Sequence, residues 1–230
     1  MVAPGASLDG YALVVVPSLY LVRDEHAAVV DEFVAAGGSA LVTFFSGVVD
    51  ETDAVRVGGY PGAFRDLLGV RVDEFSPLPV GGRVEISGGP VGATGSLWSE
   101  PVELVGAEAV LGYASGTLAG RPAVTRNAHG RGLGWYVSTE LDAATLRHVV
   151  ARAVDEAGVA PRSEVAGRAG VEVVRRLGDQ HEWVFVLNHS DDVVVHEFSG
   201  YDLVSEQHVS GPVELAAGGS HIIRQDRKAS

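Results

Sequence analysis

The sequence predicts an α/β domain built on a parallel sheet over residues 1–160, then a linker and a small all-β sandwich over residues 161–230. Three observations carry this reading. Two buried strand-like runs, YALVVVPSL (Tyr11–Leu19) and SALVTFF (Ser39–Phe45), flank a segment with helical periodicity. A stronger helical stripe lies between Leu146 and Ala157. After Gly170 the helical period disappears and only strand-like segments follow.

Tyr11–Leu19 is rich in β-branched residues without alternation, the pattern of a strand covered on both faces. Asp24 is placed to cap the next helix, Val30, Phe33 and Val34 give it an apolar stripe, and Gly37-Gly38 end it. With Ser39–Phe45 this makes a strand–helix–strand unit. Tyr60–Leu68 reads as a short helix with Pro61 in its first turn, where a missing N–H costs nothing. Val70–Phe75 alternates as a connecting strand. The glycine- and proline-rich stretch from Pro77 to Arg121 is expected to hold irregular or antiparallel structure at one edge. Pro122–Asn127 and Gly132–Thr139 should be strands joined by the turn AHGRG. In the last helix Leu146, Val149, Val150, Ala153, Val154 and Ala157 share a face, with Asp142 near its start and Gly158 past its end. These elements together predict a flavodoxin-like α/β fold. Gly158–Gly170 lacks periodicity and reads as a linker. VEVVRRL, EWVFVLNHS, VVVHEF, YDLVSE and SHIIRQ then follow at the spacing of a β-sandwich.

A net charge of −13 argues against nucleic acid or an anionic membrane as a partner. The longest apolar run, Tyr11–Val22, is broken by Pro17 and falls short of the roughly 18 residues a spanning helix needs. The opening MVAPGASLDG has neither the basic nor the apolar region of a signal peptide. Cysteine is absent, which removes disulfides, thiolate metal sites and cysteine nucleophiles. Together these features lead us to expect a cytoplasmic location.

No chemical constellation stands out. In HGRGLG (His129–Gly134) the glycines precede a strand, whereas a phosphate-binding turn must open a helix. The carboxylate neighbours Asp50/Glu51, Asp73/Glu74, Asp155/Glu156 and Asp191/Asp192 point to opposite faces wherever they lie on a strand, so adjacency argues against a catalytic pair. The eight histidines lack metal-ligand spacing, and no nucleophile elbow surrounds Ser46. Trp98, Tyr113, Trp135 and Trp183 could stack on a sugar but are dispersed as core aromatics are. No catalytic residue, metal or cofactor is expected.

The segment Phe44–Phe75, FFSGVVDETDAVRVGGYPGAFRDLLGVRVDEF, strongly resembles the trimerisation domain of glycoside hydrolase family 42 β-galactosidases. YALVVVPSLYLV resembles that domain's first strand, GRGLGWYVSTELD its closing strand, and VEVVRRLGDQHEWVFVLNHS the start of the family's small C-terminal β domain. The resemblance implies a class I amidotransferase-like fold, a homotrimer, and a C-terminal portion that lacks the family's N-terminal catalytic barrel. That barrel carries both catalytic glutamates and needs roughly 250 residues. No catalytic residue therefore carries over, and galactoside is expected as a substrate of the full-length enzyme only. Because the family's domain packs against the barrel and closes the trimer, Ser46, Asp50, Glu51, Tyr60 and Arg65 are expected at a domain or subunit contact, or at the rim of the barrel's sugar pocket. The competing reading of these residues is turn chemistry, with Ser46 and Asp50 binding backbone amides and Gly58 and Gly59 at positive φ. Two other functions stand beside the main one. A stand-alone amidotransferase-like enzyme would need a cysteine at the strand-to-helix elbow, and a carbohydrate-binding module would need a clustered aromatic platform.

Overall fold

The computed structural model describes residues 1–160 and 168–227. They fall into two compact units, Met1–Val159 and Ala160–Ser230. Most of the expected linker, residues 161–167, lies outside the described residues.

In the first unit β1 (Leu13–Val16), α1 (Asp24–Ala35) and β2 (Ser39–Thr43) form the expected strand–helix–strand unit, with β1 and β2 parallel from Leu13↔Ser39 to Val16↔Val42. Further strands are β3 (Arg83–Ser87), β4 (Thr94–Ser96), β5 (Glu108–Tyr113), β6 (Pro122–His129), β7 (Gly132–Val137) and β8 (Glu140–Leu141). The eight strands make one sheet in the order β1-β2-β7-β6-β5-β3-β4-β8. The expected parallel sheet is therefore corrected to a mixed one. Only β1, β2 and β7 run parallel; every other pairing is antiparallel. The reason lies in the connections. A parallel neighbour needs a crossover of a dozen or more residues, while a tight turn such as AHGRG between β6 and β7 enforces antiparallel pairing.

Side-chain alternation sorts the strand residues onto two faces. Ala40, Val42 and Tyr136 join α1 and the Phe64–Leu68 turn in one apolar cluster. Leu41, Trp135 and Val137 join Val149 and Ala153 of α3 (Ala143–Glu156) in the other. The sheet thus has helices on both sides. Position 132 shows how tightly the first layer is drawn. A Cβ on Gly132 would lie 2.0 Å from the Gly38 carbonyl oxygen and 2.3 Å from that of Val34. The glycines of HGRGLG admit a neighbouring backbone, not a phosphate.

Helix ends separate two aspartates that look alike in sequence. Asp142 caps α3: its Oδ1 accepts the N–H groups of Ala144 and Thr145, and its Oδ2 accepts the Thr94 N–H at 2.7 Å. Asp24 does not cap α1. It is the first helical residue, and its carboxylate is held by the Arg56 guanidinium at 2.6 Å. The expected helix from Tyr60 is shorter, a 3₁₀ turn at Gly62–Phe64 followed by α2 (Arg65–Leu68), because the Tyr60 backbone pairs with Val72 instead. The expected strand Val70–Phe75 shrinks to Val70–Arg71, paired with Glu103–Leu104.

The second unit comprises β9 (Val171–Leu177), β10 (His181–Asn188), β11 (Val194–Asp202), β12 (Gln207–Leu215) and β13 (Ser220–Asp226). They form a single antiparallel sheet in the order β9-β10-β13-β11-β12, which replaces the expected two-sheet sandwich. The join between its halves is narrow: β11 meets β13 only at Tyr201↔Arg224 and Asp202↔Ile223. Val184 and Val186 share one apolar cluster with Val194 and Leu215, so the halves enclose a common core. Asp202, fully buried at the join, accepts the Val204, Ser205 and Ile222 N–H groups and lies 2.8 Å from His221 Nδ1. Burial alone would raise its pKa, but these hydrogen bonds hold it down at about 2. On the same sheet His196 is buried, with neither ring nitrogen partnered among the described residues. Burial, with the neighbouring His221, pushes its pKa down to about 4. Among the described residues no helix is long and apolar enough to cross a membrane.

The Asp142 cap also ties α3 to β4, so its loss should weaken the first unit. Asp142→Ala should destabilise it by about 1–2 kcal/mol, while Asp142→Asn, which keeps an acceptor, should lose less. Denaturant unfolding followed by circular dichroism checks both.

Candidate functional site

Three parallel strands deliver their carboxyl ends to one edge, where loops of functional interest leave an α/β sheet. The segment after β2 is built there from the backbone outward. Phe45 adopts φ 63°, turning the chain sharply, and buries the next residue. Ser46 is 1% exposed; its Oγ accepts the Leu19 N–H at 3.1 Å, tying the loop to the chain leaving β1. Asp50 Oδ1 accepts the N–H groups of Thr52 and Ala54 and the Thr52 hydroxyl, at 2.7–3.1 Å. Those bonds hold its carboxyl below its ordinary pKa. Arg65 Nη1 donates to the carbonyls of Val57 and Gly59 at 3.0 and 3.2 Å. Gly58 sits at φ 92°, and a Cβ there would come within 2.5 Å of that same nitrogen. Tyr60 stacks on Phe75, with ring centroids 4.1 Å apart. Glu51 is exposed. The turn chemistry foreseen for Ser46, Asp50 and the glycines is present, and Arg65 serves the same loop.

Sequence reasoning missed what surrounds these residues. Phe45, Phe75 and Trp98 lie within 4.5–5.5 Å of one another, with Tyr60 on Phe75, Phe44 stacked on Trp98 at 6.3 Å and Tyr20 beside Phe45 at 5.9 Å. Of the aromatics singled out above, Trp135 and Tyr113 are core residues, and only Trp98 belongs to this cluster. The rings come from five separate stretches of chain, so no local signal announces them.

Below the rings lies Glu100, fully buried. Its Oε1 accepts the Trp98 indole N–H at 2.9 Å and its Oε2 accepts the Tyr136 hydroxyl at 2.5 Å. The Tyr113 hydroxyl accepts the Glu100 N–H and lies 2.8 Å from Ser138 Oγ. Burial raises the Glu100 pKa to about 7, against the lowering effect of the Tyr136 and Trp98 hydrogen bonds. Glu100 is sealed from solvent, and its two hydrogen bonds hold the Trp98 and Tyr136 side chains in place. Among the described residues no group of three or more His, Cys, Asp or Glu could hold a metal.

The buried carboxyl has a measurable signature. The folded pKa of about 7 stands above the ordinary 4.5, so folded protein retains a proton that unfolded protein releases. Stability from this group is full below pH 4.5 and is lost as pH rises through 7, by at most ~3 kcal/mol. Glu100→Gln should flatten that part of the stability–pH curve, as measured by denaturant unfolding at a series of pH values.

Comparison with known proteins places these features. Residues 1–160 match the family model of the β-galactosidase trimerisation domain, and residues 170–225 that of the β-galactosidase C-terminal domain. A β-galactosidase from Arthrobacter sp. is 45% identical over 227 residues, covering 98% of this chain and 32% of the relative. BglY, a β-galactosidase of Alicyclobacillus acidocaldarius, is 38% identical over 228 residues, 95% of this chain and 33% of the relative. The crystal structure of a β-galactosidase from Bacillus circulans sp. alkalophilus superposes with a TM-score of 0.86 at 32% identity, over 96% of this chain and 34% of that one. A catalytic mutant of Gan42B, a GH42 β-galactosidase from G. stearothermophilus, gives 0.83 at 27% identity, over 94% of this chain and 32% of that one. The chain spans about a third of the length of the curated relatives it matches. It belongs to the family 42 β-galactosidases, within which it corresponds to the trimerisation and C-terminal domains.

Proposed function

We propose that this chain is the non-catalytic assembly portion of a retaining β-galactosidase that acts, as a whole protein, on terminal β-D-galactosides in the cytoplasm. One observation carries the reading: two family models cover nearly the whole chain, and neither is a catalytic domain, while the relatives continue for about twice its length again. On this reading residues 1–160 are the trimer-forming domain, a flavodoxin-like variant whose β1–α1–β2 unit and parallel β7 are the retained part of that plan. Residues 161–230 are the linker and C-terminal β domain. Self-association as a homotrimer and packing against the missing catalytic barrel are its partnerships. Ser46, Asp50, Glu51, Tyr60 and Arg65 then shape a loop at a domain or subunit contact or at the rim of the sugar pocket.

Carbohydrate contact by the aromatic cluster is a second reading, favoured by the gathering of Phe44, Phe45, Phe75 and Trp98 at the strand ends. Their mutual stacking already uses ring faces that a sugar would need.

Purified chain should release no nitrophenol from nitrophenyl β-galactoside. Turnover lost on Glu51→Gln would overturn the proposal. Titration with galactose, monitored by tryptophan fluorescence, should show no saturable change; a saturable one would favour the second reading.

A further inference from the structure

Glu100 places an ionisable group where the fold makes least provision for its charge. It is fully buried, and the polar groups facing it are neutral: the Trp98 indole of its own segment, the Tyr136 hydroxyl of β7 and the Tyr113 hydroxyl of β5, itself bonded to Ser138. Burial and two neutral hydrogen bonds set its titration, with no cation contributing. The phenols keep their own protons, Tyr113 up to about 12 and Tyr136 well above its ordinary value. A buried carboxylate without a cation is costly, so the ionised group is driven toward water. The way out is short. Trp98 already reaches the surface, and Leu97 before it is exposed, at φ 62°. The Trp98–Ser99 strand pairs with Ser76–Pro77 over two residues, helped by the Leu78 N–H on the Leu97 carbonyl and the Ser99 hydroxyl on the Ser76 carbonyl.

We infer that Glu100 is a proton-operated catch on Trp98: with its proton the carboxyl holds the ring against Phe45 and Phe75, and loss of that proton to solvent releases the Leu97–Glu100 segment outward. The neutral acid can stay in place, because one oxygen accepts the indole N–H while the other shares a hydrogen bond with Tyr136. The carboxylate gains more from water than from two neutral donors, and Trp98, two residues away and bonded to it, moves with it. Its ring contacts with Phe45 and Phe75, at 4.5 and 4.9 Å, are then given up. The catch is closed in acid and opens as pH rises through about 7. Protonation thereby sets whether the rings at the strand ends are packed together or parted.

Heteronuclear NMR of the 230-residue chain tests the inference on its three tryptophan indole N–H signals, followed between about pH 6 and 9. Trp98→Phe identifies the signal of Trp98. That signal should shift with a midpoint of about 7. Above the midpoint it should exchange with water roughly tenfold faster than in Glu100→Gln, whose own signal should not shift. The Trp135 indole, buried in the core, should do neither. Tyr136→Phe removes a hydrogen bond that favours the ionised form, so it should move the midpoint upward. This variant decides the matter if Glu100→Gln does not fold. A shift without faster exchange would mean that Glu100 ionises in place, which would overturn the release. The same shift and exchange in Glu100→Gln, or an unmoved midpoint in Tyr136→Phe, would overturn Glu100 as the catch.

Discussion

Parallel pairing of β2 with β1 and β7 sends three strand ends to the same edge of the sheet, and the first unit is organised around that edge. The sharp turn at Phe45, the inward Ser46 hydroxyl, the aromatic cluster and the Glu100 network all sit where these strands stop. The pairing itself needs the β6–β7 turn to approach the end of α1 more closely than any side chain allows, which is why position 132 carries none. A substituent there would push β7 off β2 and disperse the loops that depend on their shared edge.

Glu100 shows how such an edge tolerates a charge-bearing group. A buried carboxylate is usually retained by a cation or neutralised by a proton. Here the donors are neutral, an indole and a phenol, and the carboxyl sits near the midpoint of its titration at neutral pH. The hydrogen bonds fix Trp98 from below while Phe44, Phe45 and Phe75 fix it from the sides. The result is an aromatic cluster held by its own contacts.

Much of the architecture was legible because it is written in short-range pattern. The β-branched runs marked β1 and β2, and the stripe from Leu146 to Ala157 marked α3. The position of HGRGLG before a strand marked a turn rather than a phosphate site. The failures share a physical cause, dependence on partners far along the chain. Nothing local distinguishes Asp142, which caps, from Asp24, which an arginine 32 residues away draws aside. Strand direction in the glycine-rich middle depended on which neighbours each strand would find, so the parallel sheet became mixed. The two pairings at Tyr201 and Asp202 turned two expected layers into one sheet. At the candidate site the polar loop residues were visible as a motif. Their turn chemistry was foreseen as one of two readings, but Glu100 and the ring cluster were not visible, since each is assembled from separated segments.

His196 gives the two halves of the chain opposite temperaments toward acid. Its folded pKa of about 4 lies below the ordinary 6.5, so the second unit is stabilised by a neutral imidazole above 6.5 and loses that support as pH falls through 4. The first unit carries the reverse dependence through Glu100. Across mildly acidic pH the contribution from Glu100 grows as that from His196 fades, so the two buried groups make opposite demands on the solvent.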